Sequence, residues 1–167
     1  MAQVSAGLLV YRRPRGRLEF LLAHPGGPFW RGKDRAAWSV PKGLAEPGED
    51  LWAAARREFQ EEIGLTPSGP AVGLAPFRLP GGKQLHCWLV EADLDLSDIR
   101  SNSFEMEWPR GSGRRASWPE VDQAAYFDPS TAGWKIHRGQ RPLIEAAAAQ
   151  LGWRPPADGD YDVGDKD

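Results

Sequence analysis

A single domain of mixed α and β structure is what this sequence predicts, on three observations. A helical period runs through residues 50–63, where Leu51, Ala54, Ala55, Phe59 and Ile63 share one face and Gly64 stands ready to end it. Short apolar runs bounded by Gly, Pro and charged residues recur on both sides of that helix, as strands do. The chain of 167 residues, 41% hydrophobic and 26% charged, has material for one sizeable core and not for a second full domain.

The elements follow in order. Residues 4–11 form an apolar run that stops at the turn-like residues 12–16, and residues 18–23 resume it, so the pair reads as a hairpin. Residues 24–36 are rich in Gly, Pro and charge and read as a long irregular loop carrying Phe29 and Trp30. Trp38, Ser39 and Val40 return to an extended pattern that Pro41, lacking an N–H, interrupts. Beyond the helix come strands near 71–79 and 84–91, a polar loop over 101–118 and a second helix near 139–152, with Leu143, Ala147 and Leu151 on one face. The domain is expected to span residues 1–154. The tail at 155–167 holds five aspartates and almost nothing apolar, so it is expected to be disordered.

Composition excludes several functions. A net charge of −2 provides no overall basic field for DNA, RNA or an anionic membrane as the main partner. One cysteine, Cys87, permits no internal disulfide and no cluster of soft zinc ligands. Residues 1–12 lack the features of a secretory signal and no apolar run approaches the ~18 residues that span a bilayer, so the expected location is cytoplasmic.

The chemistry sits at the end of the first helix. Glu58, Glu61 and Glu62 crowd its last two turns, where the partial negative charge of a helix C-terminus disfavours carboxylates and the i,i+4 pair Glu58/Glu62 adds repulsion. Two compensators fit the residues: solvated pairs with Arg56 and Arg57, or a metal ion. Spacings of three and four put the three glutamates along one side of the helix, where hard oxygens can share Mg²⁺ that also holds substrate phosphates.

The loop in front of the helix weighs toward the metal. Gly43, Pro47 and Gly48 fix a particular backbone path into it. Gly43 is followed after five residues by Glu49 and after seven more by Arg57-Glu58-Phe59-Gln60-Glu61-Glu62-Ile63-Gly64-Leu65. Over residues 43–65 this resembles the Nudix box at all nine defined positions, and the resemblance extends upstream through Trp38-Ser39-Val40-Pro41-Lys42 and Ser5-Ala6-Gly7-Leu8-Leu9.

The resemblance to the Nudix hydrolase family implies an α/β/α sandwich with a mixed β-sheet, in which the box forms a loop–helix–loop around Mg²⁺ or Mn²⁺. It makes Glu58, Glu61, Glu62 and the Gly43 carbonyl metal ligands, with Glu58 also a possible general base. Arg57 and Glu49 become the pair that braces the loop against the helix, and Gly64 the residue that ends it. A further carboxylate from outside the box is implied; Glu120 is preferred over Glu105 and Glu107. Lys42 is a candidate phosphate contact.

The implied reaction is hydrolysis of a nucleoside diphosphate linked to another moiety. Trp38 to Gly43 and Ser5 to Tyr11 are similar to the diadenosine tetraphosphate hydrolase branch, making a dinucleoside polyphosphate the first choice. The sequence departs from that branch at Leu85-His86-Cys87-Trp88, where a tyrosine is common. ADP-ribose is the alternative, since Pro80 stands about fifteen residues beyond the box; nucleoside triphosphates are a third, and a non-catalytic nucleotide-binding module is the reading of another class. Among eight tryptophans and other rings, Phe29, Trp30 and Tyr126 are candidates to stack on a base, and Arg110, Arg114 and Arg115 to clamp phosphates. His24 and His137 read as structural.

Overall fold

The computed structural model describes residues 3–155. All of the expected tail except Pro155 lies outside the described residues.

Strand β1 (Val4–Arg12) is the spine of the sheet, and its middle six residues are buried. It pairs in parallel with β6 (Gln84–Glu91) along its length, Val4 facing Gln84 and Tyr11 facing Glu91. A strand covered on both faces needs an unbroken apolar run, which is why Ala6-Gly7-Leu8-Leu9-Val10 does not alternate. On the other side β1 has two antiparallel partners in succession. Its end pairs with β2 (Glu19–Pro25) through Tyr11↔Phe20, and its beginning pairs with β3 (Lys42–Leu44) through Ala6↔Gly43.

The sheet therefore splits between β1 and β2, and the segment leading to β3 fills the split, with Ser39 bridging Ala23. Pro41 interrupts the extended chain as expected, but the chain resumes at Lys42 as β3. Strands β4 (Ala71–Gly73) and β5 (Phe77–Arg78) both pair antiparallel with β6, so the expected strand at 71–79 is two short pieces.

Helix α1 (Leu51–Ile63) starts where the Asp50 carboxylate accepts from the Ala53 N–H at 3.0 Å. It ends at Gly64, whose φ of 77° is left-handed. Its Ala54, Ala55, Phe59 and Ile63 pack on Ala6, Leu8, Val10, Leu21 and Val90 of one sheet face. The opposite face, with Leu9, Phe20, Leu22, Leu85, Cys87 and Leu89, is covered by α2 (Pro129–Lys135) and α3 (Arg141–Gln150). Three layers, helix on mixed sheet on helices, give the expected α/β/α sandwich.

Three elements correct the sequence reading. Residues 101–118 are no plain loop: β7 (Ser103–Glu107) and β8 (Arg115–Pro119) form an antiparallel hairpin apart from the main sheet. Strand β9 (Val121–Phe127), which the sequence reading did not place, pairs with β2 at the sheet edge, and Glu120 immediately precedes it. Helix α2 has seven residues, held at its start by Asp128 accepting from Thr131 N–H, and offers too few turns to show a period.

Candidate active site

The carboxylate cluster is assembled by three chain segments. Helix α1 brings Glu58, Glu61 and Glu62. Strand β3 lays Gly43 against it so closely that a Cβ at Gly43 would overlap the Glu58 carboxyl group. The third segment, residues 100–102, crosses the end of α1: the N–H groups of Arg100 and Asn102 donate to the carbonyls of Ile63 at 2.8 Å and Glu61 at 2.7 Å. These bonds satisfy helix-end carbonyls that have no partner within the helix. Glu120 N–H then donates to Asn102 O at 2.7 Å, and Val121 N–H to Ser101 Oγ at 2.9 Å, so Glu120 is hung from the strap that closes α1. Gly64 is required for the same closure, because a Cβ there would come within 2.6 Å of Arg100 O. The contribution of residues 100–102 carried no signal in the sequence, since all of it but the Ser101 hydroxyl is made by backbone groups.

Arg57 is the electrostatic hinge of the site. Its Nε and Nη2 grip Glu49 with two bonds of 2.8 and 2.9 Å. Nη1 donates to Glu58 at 2.9 Å and to Glu61 at 3.2 Å, and Nη2 also reaches Leu44 O at 3.1 Å. Glu49 returns a bond to the loop, accepting from Glu46 N–H at 2.9 Å. The expected brace between Arg57 and Glu49 is therefore present as a forked ion pair tying the Gly43–Glu49 loop to α1. Its bonds from Arg57, then from Glu46, pull the Glu49 carboxyl down to about 2.

The remaining carboxylates go the other way. Burial, then repulsion from Glu58, pushes half-buried Glu62 up to about 8, against the pull of Lys42. Glu58 is raised by burial and by Glu61, with Arg57 opposing, and Glu120 is raised by partial burial and by Glu61. Lys42, the cation facing Glu62 and Glu58 from β3, is itself lowered by burial. Negative charge thus exceeds the positive charge the protein supplies, which is what an all-oxygen cation site looks like without its cation. The donor set suits Mg²⁺ or Mn²⁺. Among the described residues no three such side chains are already gathered around one point. Glu58 and Glu61 are both turned toward Arg57, which donates to them at 2.9 and 3.2 Å.

Glu105 and Glu107 stand elsewhere, Glu105 facing Arg115 at 3.7 Å and Glu107 accepting from Gly113 N–H at 3.3 Å on the hairpin. Of the proposed stacking residues, Trp30 and Phe29 are exposed on the loop after β2. The Tyr126 hydroxyl donates to Ala92 O at 2.8 Å and accepts from Leu94 N–H at 3.0 Å, and Arg12 lies 3.9 Å over its ring. It pins β9 to the segment after β6, six residues along from Glu120, or roughly 20 Å. His24 is buried, bonded to Asp122 at 2.7 Å and Lys33 O at 2.6 Å, and His137 caps a turn through Gly139 N–H at 3.2 Å; both are structural. Pro80, the residue behind the ADP-ribose alternative, packs against Gly139.

Gly43→Ala is expected to displace the Glu58 carboxyl and cut turnover roughly a hundredfold, with a melting temperature within a few degrees of wild type. Steady-state kinetics beside thermal melting check this; unchanged turnover would show that Glu58 has room to shift at no cost.

Comparison with known proteins places the chain by sequence and by fold. The NUDIX domain model matches residues 1–147. The chain is 42% identical over 66 residues to the asymmetrical bis(5′-nucleosyl)-tetraphosphatase of Caenorhabditis elegans, covering 40% of this chain and 44% of that protein. It is 44% identical over 57 residues to an RNA pyrophosphohydrolase of Caulobacter vibrioides, covering 31% and 33%. The chain thus spans less than half the length of these curated relatives. Among solved structures, a binary complex of C. elegans Ap4A hydrolase matches with a TM-score of 0.63 at 25% identity, over 89% of this chain and 98% of that one. The NUDIX domain of Shewanella oneidensis NrtR, complexed with ADP ribose, shares the fold with a TM-score of 0.62 at 14% identity, over 90% and 89%. With the family match running over most of its length and including the strand–loop–helix that carries the carboxylates, the chain belongs to the NUDIX domain family.

Proposed function

We propose that the chain is a divalent-cation-dependent pyrophosphohydrolase whose substrate is a dinucleoside polyphosphate such as diadenosine tetraphosphate. The observation that carries this is the placing of Glu58, Glu61 and Glu62 in the last two turns of α1, against Gly43 of β3, with Lys42 facing Glu58 and Glu62 and burial raising both carboxyls. Glu58, Glu61, Glu62, Glu120 and the Gly43 carbonyl are the groups that would hold Mg²⁺ or Mn²⁺. When bound, such an ion lowers the pKa of water and offsets charge on the phosphates.

The protein's own groups do the rest. Glu58, fixed by Gly43 behind it and Arg57 beside it, takes the proton from the attacking water. Lys42 contacts a phosphate oxygen from the β3 side. Arg57 holds the loop and helix in register and neutralises part of the charge of Glu58 and Glu61. The similarity to the C. elegans tetraphosphatase supports the substrate and an asymmetrical cut, which from diadenosine tetraphosphate yields ATP and AMP. A second reading, removal of phosphates from an RNA 5′ end, is favoured by the similarity to the C. vibrioides protein.

Incubating the intact chain and Mg²⁺ with diadenosine tetraphosphate, ADP-ribose, nucleoside triphosphates, inositol pyrophosphates and 5′-triphosphorylated RNA, with products separated by ion exchange, decides among them. The dinucleotide is expected to have the highest kcat/KM and to give ATP and AMP. A preference for triphosphorylated RNA moves the assignment to the second reading, and no turnover of any substrate makes the domain a binding module.

A further inference from the structure

The β7–β8 hairpin belongs to no larger sheet, and an isolated two-stranded ribbon is marginal in water unless one face is covered. Alternation puts Phe104, Met106, Ala116 and Trp118 on its half-buried face and Ser103, Glu105, Glu107, Arg115 and Ser117 on its exposed one. The cover comes from the loop after β2. Gly27 passes so close that a Cβ there would meet the Phe104 ring at 2.9 Å, and Phe29 meets Trp108 edge to face at 5.9 Å. Trp108 is backed in turn by Trp118 at 6.4 Å, and Trp118 by Phe104 at 6.3 Å.

The inner rings of Phe104 and Trp118 are half-buried. The outer ones are spent on water: Phe29 is 46% exposed and Trp108 37%, and neither belongs to the two core clusters. Cations stand over this surface, with the Arg110 guanidinium 5.7 Å from the Phe29 ring and Lys33 Nζ 5.5 Å from the ring of Trp30. Among the described residues neither Arg110 nor Arg114 has a carboxylate within 4.0 Å, whereas Arg115 faces Glu105. The hairpin leaves the strap at Asn102 beside Glu61 and returns at Glu120. Its root is therefore at the carboxylates and its tip about 17 Å away, at ~3.3 Å per residue.

We propose that Phe29 and Trp108, with Arg110, form a stacking site for the nucleobase at the far end of the substrate's polyphosphate, the phosphates running along the hairpin under Arg110 and Arg114. This rests on the dinucleoside polyphosphate reading above. A rigid ring pair with an adjoining guanidinium recognises the face that every nucleobase presents. The unpaired arginines match the charge of the linking phosphates, and the exposed patch at the hairpin tip, a polyphosphate's length from the carboxylates, suits the far end of the substrate.

The test compares diadenosine tetraphosphate with adenosine 5′-tetraphosphate, which has the same phosphates and one base fewer. Wild type, Trp108→Ala, Trp108→Phe and Phe29→Ala are assayed for kcat and KM with Mg²⁺, and both ligands are titrated calorimetrically into each protein carrying Glu62→Gln to prevent turnover. Wild type is expected to bind the dinucleotide about tenfold more tightly than the mononucleotide. Trp108→Ala and Phe29→Ala are expected to remove most of that advantage and raise KM for the dinucleotide alone, with kcat within about twofold, while Trp108→Phe keeps it. Equal binding of the two ligands by wild type, or equal weakening of both by the variants, overturns the inference. Phe29 lies outside the hairpin, so its variant answers even where Trp108→Ala misfolds. Absence of turnover with a retained difference in binding sinks the proposed reaction and leaves the stacking site standing.

Discussion

Glu62→Gln is expected to lower turnover by about a thousandfold or more and, in the same protein, to raise the melting temperature of the metal-free form by about 5 °C at pH 8. Opposite effects on activity and stability follow from one cause. Burial and the neighbouring Glu58 hold the Glu62 carboxyl up at about 8, against 4.5 for the free group. The folded state therefore keeps a proton that the unfolded chain releases from about pH 4.5 upward, and metal-free stability is lost as pH rises from about 4.5 to 8. Glutamine carries no charge to desolvate, so its melting curve has no such slope. A divalent cation supplies what the wild-type site lacks, and Mg²⁺ should raise the wild-type melting temperature at pH 8 far more than that of the variant. Thermal melts across pH 5–9, with and without Mg²⁺, read all of this. A wild-type curve flat over that range would show that Glu62 is solvated and ordinary.

The second large effect is that of Arg57→Ala. The side chain donates to Glu49, Glu58, Glu61 and the Leu44 carbonyl, so its removal unties the loop from the helix and leaves three carboxylates with their main cation gone. Turnover is expected to fall roughly a hundredfold or more, because the loop carrying Gly43 loses its register. The melting temperature should fall by about 5 °C without metal and by less with Mg²⁺, which takes over the neutralisation of Glu58 and Glu61. Arg57→Lys keeps the charge without the fork and should land between the two. The sign with pH is opposite to that of Glu62. Glu49 is held down at about 2, so its bond to Arg57 stabilises fully above about pH 4.5 and is lost as pH falls toward 2. The gap in melting temperature between wild type and Arg57→Ala should therefore narrow on acidification. A gap that widens would place the chief role of Arg57 elsewhere.

The parts of the site that lie within one stretch of chain were legible from their spacing. Gly43, Glu49, Arg57, Glu58, Glu61, Glu62 and Gly64 are separated by a helix and a tight loop, and helical geometry alone puts the glutamates on one side. The crowding of carboxylates at a helix C-terminus is a conflict visible in the letters. Glu120 was legible only as one of three glutamates, because what selects it is a backbone bond to Asn102, and backbone groups have no side-chain signature. The bonds that tie Tyr126 to Ala92 and Leu94 were hidden for a related reason, since they are long-range and one partner in each is a backbone group. The hairpin was hidden by composition. Its alternation of Phe104, Met106, Ala116 and Trp118 with polar residues was there, but the Pro109-Arg110-Gly111-Ser112-Gly113 turn between the strands made the whole stretch read as a loop. Strand β9 carries two adjacent polar residues, Asp122 and Gln123, after Val121, which an edge strand tolerates and a period of two does not reveal.

The central claim is that the carboxylates at the end of α1 act through a divalent cation on a phosphoric anhydride. Its most direct test is hydrolysis of diadenosine tetraphosphate by the intact chain before chelation, after exhaustive chelation, and after Mg²⁺ is restored. Turnover that disappears with the chelator and returns with Mg²⁺ in the wild type, but not in Glu62→Gln, is the predicted result; turnover indifferent to the chelator, or equal in the two proteins, contradicts it.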